Sequence, residues 1–144
     1  MIGCSKEEAE KKLEAFWAGN KGVKDLIDYL EKFYRKNKYI VGLDGRKLHI
    51  RQKHMLLNTL VQSSAAIVFK RWSLIAQQEL DKELTYCRAM MSFHDEIQYR
   101  VLQHEAERAA EIVKDSARLA GEYYNLKTEV AAEAKIGQSW ADCH

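Results

Sequence analysis

The architecture of the chain follows from the run Ser92-Phe93-His94-Asp95-Glu96-Ile97-Gln98, in which a histidine and two adjacent carboxylates separate two strand-like segments. Residues 86–93 and 97–102 alternate in the manner of strands. Strand periodicity on both sides of a short polar break predicts a β-hairpin. Such a hairpin would hold Asp95 and Glu96 at an exposed tip, where they could bind a hard divalent cation and a charged substrate. The alternative is an acidic turn that only keeps the hairpin soluble.

Local signals elsewhere in the chain predict an α+β fold. Ser5 and Glu8 form a capping box that begins a first helix, which is expected to end at residues 19–22. Asp44-Gly45 between alternating residues predicts a second hairpin. Residues 52–82 contain neither Gly nor Pro, so we expect one helix about 45 Å long.

Three further elements complete the predicted fold. Apolar residues at helical spacing indicate a second helix over residues 23–34 and another from Glu105 to Tyr124. The expected inward residues of the latter are Ala109, Ile112, Val113, Ala117, Ala120 and Tyr124. The segment Thr128–Ala134 fits a helix or a strand, and we favour a strand that pairs with the acidic hairpin.

Composition and charge restrict the classes of protein to consider. The chain has 144 residues, 47% of them hydrophobic, which suits one domain with a real core. No apolar run reaches the roughly 20 residues needed to cross a bilayer, and three scattered cysteines fit a reducing compartment. Residues 32–54 carry eight Lys or Arg and one acid, Asp44, hence a charge of about +7. Nucleic acid is the leading anionic partner, and a solvated basic loop is the alternative.

A polar stripe runs along the start of the predicted long helix. His54, Asn58 and Gln62 follow one another at intervals of four residues, so they share one helix face among apolar neighbours. Their uncharged donors could touch the acceptors that the minor groove of a duplex offers at every base pair. The alternative is that water or neighbouring loops satisfy three ordinary polar residues.

In order and spacing, four segments resemble the C-terminal part of family A DNA polymerases, and the ending looks most like the phage replicative branch. They are Leu43–Arg51, His54–Ser63, Phe93–Ile97 and Ile136–His144. The resemblance implies an incomplete polymerase palm with a small antiparallel sheet, packed by a long helix and preceded by two helices of the fingers. It assigns residues 1–37 to the fingers and residues 38–144 to the palm.

The resemblance also implies roles for individual residues. Asp95, with Glu96 beside it, would hold catalytic Mg²⁺ ions at motif C, and His94 would lie near the primer terminus. Asn58, Gln62 and His54 would contact the minor groove, although bacterial enzymes carry arginine at the position of His54. Arg46, Lys47 and Arg51 would lie along the primer–template DNA, and deoxynucleoside triphosphates would be the substrates. The expected location is the cytoplasm of a bacterial or phage-infected cell, with no membrane partner.

Two elements of the family pattern are missing from this sequence. There is no Asp-x-Ser-x-x-Glu strand, and no Tyr-Gly or Phe-Gly pair marks a nucleotide-binding fingers helix. We therefore expect a chain that is inactive alone, and we favour a split polymerase completed by a complementary chain with the missing motifs. A gene remnant, a fragment, or a non-catalytic DNA-binding or interaction module are the alternatives. An incomplete palm would expose a sheet edge and an apolar face, so the isolated chain should self-associate, aggregate or bind its partner.

Overall fold

The structure, a computed structural model, describes residues 5–143, and the fold is α+β as predicted. The chain divides between Ser63 and Ser64 into two compact units, and each unit is described by itself. This division is structural, so the assignment of residues 1–37 to fingers and 38–144 to palm stays a prediction. No helix within residues 5–143 is long and apolar enough to cross a membrane.

The first unit contains two helices and a short hairpin. They are α1 (Lys6–Gly19), α2 (Lys21–Asn37), β1 (Ile40–Val41) and β2 (Lys47–Leu48). The capping box is confirmed, because the Ser5 hydroxyl accepts from the Glu8 backbone and the Glu8 carboxylate accepts from the Ser5 backbone. The helices were expected to be separated by residues 19–22, but only Asn20 lies between α1 and α2. The Asn20 side chain donates to the Phe16 carbonyl at the end of α1.

The core of the first unit lies between α2 and the short hairpin. Leu30, Ile40, Ile50 and Leu56 are buried together. Gly45 adopts a φ of 81°, the left-handed conformation that the Asp-Gly signal requires, and β1 pairs antiparallel with β2. By contrast, no residue of α1 is buried, and large apolar side chains of this helix such as Leu13 and Phe16 are exposed.

The long helix, α3 (Leu56–Glu83), follows a 3-10 turn at Lys53–Met55 and confirms the expected element. In the second unit it is followed by β3 (Cys87–Phe93), β4 (Glu96–Val101), α4 (Ala106–Tyr123) and the single turn α5 (Trp140–Cys143). Leu80, Ala109 and Ile112 are the buried centre of this unit. The Trp72 indole donates to the Val113 carbonyl at 2.8 Å and ties α3 to α4.

The predicted strand at Thr128–Ala134 is wrong. This segment is neither helix nor strand, and within the described residues β3 and β4 pair only with each other. Val130 instead packs over Gly121 of α4, where a Cβ in place of the glycine hydrogen would lie 2.8 Å from the valine methyl. Burial against a glycine of a helix therefore replaces the expected ladder of hydrogen bonds.

Tyr99 gives the second unit a pH-dependent stability. Burial, with the nearby Cys87 and Asp81, raises the pKa of its phenol from 10.0 to about 12. The unfolded chain loses this proton first, so we expect stability to be complete below about pH 10 and to decline as the pH approaches 12, by about 1–2 kcal/mol because solvent screens the partly exposed phenol. Denaturant unfolding of the wild type and Tyr99→Phe at pH 9 and 11.5 measures this difference. Tyr29→Phe, at an exposed tyrosine of α2, is the control, and an identical decline in Tyr99→Phe would contradict the prediction.

Candidate active site and nucleic-acid interface

The acidic run forms the tip of a tight antiparallel hairpin. Phe93 pairs with Glu96, so only His94 and Asp95 connect β3 to β4. His94 has a φ of 54°, which costs a non-glycine residue about 1–2 kcal/mol, and its ring lies 4.2 Å from that of Phe93. His94 and Asp95 are exposed, whereas Glu96 is partly buried. The structure thus brings the three predicted site residues together at one turn.

The hairpin has two different faces because cross-strand partners point to the same side of a sheet. Cys87, Tyr99 and Val101 pack on the buried centre around Leu80 and form the inner face. The outer face, which points away from this core, consists of Arg88, Met91, Phe93, Glu96, Gln98 and Arg100. Glu96 and Gln98 are two residues apart on one strand, and the Gln98 amide donates to the Glu96 carboxylate.

A β-bulge at Met90 sets which side chains of β3 reach the outer face. Ala89 pairs with Tyr99 and Met91 pairs with Gln98, so Met90 is an extra residue without a cross-strand partner. Without the bulge, Ala89 and Met91 would point to the same face, because strand side chains alternate. The extra residue reverses the alternation and turns Met91 and Phe93 outward.

Glu105 fixes the opposite end of the hairpin. Its carboxylate accepts from the backbone N–H groups of Thr85 at 2.7 Å and Tyr86 at 3.4 Å, just before β3 begins. These hydrogen bonds, that of Thr85 foremost, lower the pKa of the Glu105 carboxyl below its usual value. Sequence reasoning missed Glu105, because its partners lie about twenty residues away and no local pattern marks them. It also missed Gln98, which the two-residue spacing from Glu96 could have revealed.

The tip offers part of a donor set for a metal ion. Asp95 and Glu96 supply carboxylate oxygens, the ligand type that Mg²⁺ prefers. Among residues 5–143, however, no group of three or more His, Cys, Asp or Glu side chains could hold a metal ion.

The predicted minor-groove residues lie at the start of α3 in the first unit. Asn58 and Gln62 are exposed one helical turn apart, while His54 belongs to the preceding 3-10 turn. Over the part of the chain that the structure describes, neither amide side chain forms a hydrogen bond. Neighbouring loops of the described residues therefore do not satisfy these amides, which leaves their donors to water or to a ligand.

The basic block is only partly neutralised within the first unit. Arg46 forms an ion pair with Asp44 at 2.5 Å, and the Lys47 ammonium lies 4.7 Å from the centre of the Tyr39 ring. Lys53 donates to Glu31 at 2.8 Å, which lowers the pKa of that carboxyl. Arg51 is exposed and has no ion pair within residues 5–143.

The last helical turn depends on Asp142 and Gly137. The Asp142 carboxylate accepts from the backbone N–H groups of Gln138 and Ser139 and from the Ser139 hydroxyl, and its pKa is lowered, chiefly by the Ser139 hydroxyl. A Cβ at Gly137 would collide with the Asp142 Cβ and lie 2.8 Å from the Cys143 sulfur. Only glycine at position 137 therefore permits this close contact with Asp142 and Cys143. His144 lies outside the described residues.

Comparison with known proteins decides the family. The model of DNA polymerase family A matches residues 1–142. The chain belongs to DNA polymerase family A. It is 35% identical over 119 residues to the DNA-directed DNA polymerase of Enterobacteria phage T3, covering 76% of this chain and 16% of that protein. It is 28% identical over 151 residues to the corresponding enzyme of Escherichia phage Phieco32, covering 100% of this chain and 24% of that protein.

A solved structure supports the fold of this family A chain. The POL domain of Pol1 from M. smegmatis, in complex with DNA primer-template and dNTP, matches with a TM-score of 0.85 and 24% identity. The match covers 99% of this chain and 27% of that one. The predicted resemblance and fold class are thus confirmed, while the chain spans only 16% to 24% of the length of the two phage enzymes.

Proposed function

We propose that this chain is the C-terminal part of a template-directed DNA polymerase and contributes motif C of the palm. The proposal rests on the hairpin tip that joins His94, Asp95 and Glu96 in a chain of DNA polymerase family A. Residues 1–37 then belong to the fingers and residues 38–144 to the palm. The reaction joins the primer 3′ hydroxyl to the α-phosphate of a deoxynucleoside triphosphate and releases pyrophosphate. We place this activity in the cytoplasm of a bacterial or phage-infected cell, because the relatives are phage and bacterial enzymes.

Asp95 and Glu96 contribute carboxylate oxygens to Mg²⁺, the metal that polymerases of this family use, and His94 faces the primer terminus. When bound, a pair of such ions would activate the primer hydroxyl and neutralise the triphosphate. The chain's own task is to hold the carboxylates in place. Gln98 orients Glu96, and the hydrogen bonds of Glu105 secure the far end of the hairpin.

The primer–template binds to residues of the first unit. Asn58, Gln62 and His54 donate to minor-groove acceptors, which lie at similar positions in every base pair. Arg46, Lys47 and Arg51 lie along the phosphate backbone and supply affinity that does not depend on sequence. The complex of the M. smegmatis relative with primer-template and dNTP supports this choice of partners.

A complementary polymerase chain supplies the donors that this one lacks, among them the aspartate of an Asp-x-Ser-x-x-Glu strand. The support is the exposure of β3. Met90, Met91 and Phe93 are 57%, 43% and 52% exposed, and within residues 5–143 β3 has a hydrogen-bonded neighbour on one side only. A partner strand added to that edge would pair its backbone and cover these side chains.

Primer extension tests this function. The chain is mixed with a polypeptide that carries the missing aspartate strand and nucleotide-binding helix, and extension should require both. Extension by this chain alone would contradict the need for a partner. A mixture that binds primer–template but never extends it would identify a non-catalytic module or a remnant.

Loss of either minor-groove amide should weaken use of the primer–template. Asn58→Ala or Gln62→Ala should cost about 1–3 kcal/mol with little dependence on sequence, because the lost contact is a hydrogen bond to acceptors common to all base pairs. Extension or binding assays on A·T-rich and G·C-rich duplexes measure the effect. Gln78→Ala, at an exposed glutamine of the same helix, is the matched control. Normal binding and fidelity in both variants would show that the stripe is only a polar helix face.

A further inference from the structure

Two arginines stand directly opposite each other at the base of the hairpin. Arg88 of β3 pairs with Arg100 of β4, and both side chains are exposed on the outer face. Directly opposed side chains of an antiparallel pair have Cβ atoms about 5 Å apart, and like charges there destabilise the sheet. Within residues 5–143 neither guanidinium has an ion pair or a side-chain hydrogen bond. An unneutralised pair of this kind calls for an anion from outside the chain.

The outer face carries opposite charge at its two ends. Glu96 lies at the tip beside Asp95, and Arg100 lies four residues further along the same strand. At about 3.3 Å per residue the separation is about 13 Å. Met91, which is 43% exposed, lies between the two ends, and Phe93, which is 52% exposed, lies opposite Glu96 at the tip, so both offer apolar surface. The tip suits a cation, whereas the base suits a phosphate, which the planar fork of arginine grips in bidentate fashion.

We propose that Arg88 and Arg100 bind a backbone phosphate of the primer strand behind its 3′ terminus. This inference rests on the proposed function, which brings that terminus to Asp95. One strand of a duplex carries a phosphate every ~3.4 Å along the axis, so a pair about 13 Å from the tip can reach one of the first few phosphates behind the terminus. The outer face has acidic residues at the tip and arginines at the base, which favours nucleic acid over an acidic protein. A growing strand requires protein carboxylates that bind metal at its 3′ end and protein cations that contact the phosphates behind that end.

Duplex binding by the intact chain tests this site without requiring catalysis. Fluorescence anisotropy with a duplex bearing a recessed 3′ end is followed between 50 and 200 mM salt for Arg88→Gln, Arg100→Gln and the double variant. Each substitution should weaken binding about tenfold at low salt and reduce the slope of log K against log[salt] by about 0.9. Lys114→Gln removes an exposed cation of α4 that has no ion pair within the described residues, and it should change binding less than twofold.

A stability measurement separates ligand binding from a merely structural role. Without DNA and at low salt, Arg88→Gln and Arg100→Gln should melt at a higher temperature than the wild type, because each relieves the repulsion of the pair. Lower melting temperatures together with unchanged duplex affinity would overturn the inference.

The remaining outcomes distinguish the source of the anion. If the arginine variants bind duplex normally but no longer bind tripolyphosphate, the pair binds a free triphosphate. If the variants lose only their binding to the complementary chain, the pair binds a carboxylate of that protein. Either result overturns the primer-strand site and leaves the proposed function intact. A wild type that binds no duplex at all would overturn both.

Discussion

Replacing Asp95 by alanine should lower primer extension by the assembled polymerase at least about a thousandfold. Asp95 is the exposed carboxylate of the two-residue turn between β3 and β4. If it holds Mg²⁺, its loss removes several kcal/mol of stabilisation of the transition-state charge, and each 1.4 kcal/mol corresponds to a factor of ten in rate. Primer extension by the mixture of this chain with its complementary chain, under single-turnover conditions, measures the effect on the chemical step.

Two controls isolate the catalytic effect of Asp95. Asp28→Ala removes an exposed carboxylate of α2 and should leave extension unchanged. Because Asp95 is exposed, Asp95→Ala should also alter the free energy of unfolding by no more than about 0.5 kcal/mol. Full extension by a stable Asp95→Ala protein would eliminate the assignment of the metal site. A loss of extension caused by unfolding would instead appear in the melting curve.

The elements that local chemistry specifies were predictable from the sequence. The capping box of Ser5 and Glu8, the turn at Asp44-Gly45 and the acidic hairpin each depend on residues within a few positions of one another. For the same reason, the three residues of the candidate active site could be assigned to one tip. Local geometry alone brings His94, Asp95 and Glu96 together.

Features that depend on distant contacts were not predictable. Thr128–Ala134 has the composition of a strand, yet Val130 packs over Gly121 and no pairing forms. The bond from the Thr85 backbone to Glu105 joins residues twenty positions apart. The bulge at Met90 carries no signal of its own in the sequence, although it decides which side chains of β3 point outward.

The hairpin combines a strained tip with a secured base. His94 keeps a left-handed conformation at the turn, and such strain persists only where the surrounding structure fixes the backbone. The constraint comes from the paired strands and from Tyr99 and Val101, which pack on the buried cluster around Leu80. The position of the candidate carboxylates therefore depends on the core beneath the hairpin, so a core substitution should affect both stability and activity.

Leu80→Ala should have the largest effect on stability of any single substitution considered. Leu80 is fully buried, at 0% exposure, among Ala109, Ile112 and the inner face of the hairpin. Truncation of a buried leucine costs about 2–5 kcal/mol, because apolar burial is lost and a cavity remains. This is a large fraction of the stability of a domain of this size. Urea unfolding followed by circular dichroism measures the loss.

The same helix provides the matched control for Leu80→Ala. Leu74 is 56% exposed on α3, so Leu74→Ala should cost less than about 0.5 kcal/mol. If the core seats the hairpin, Leu80→Ala should also reduce primer extension at temperatures where the chain remains folded, because the tip carboxylates lose their support. Equal stability of the two leucine variants would contradict the packing described for the second unit. A destabilised Leu80→Ala protein with full extension would show that the tip keeps its geometry without this core.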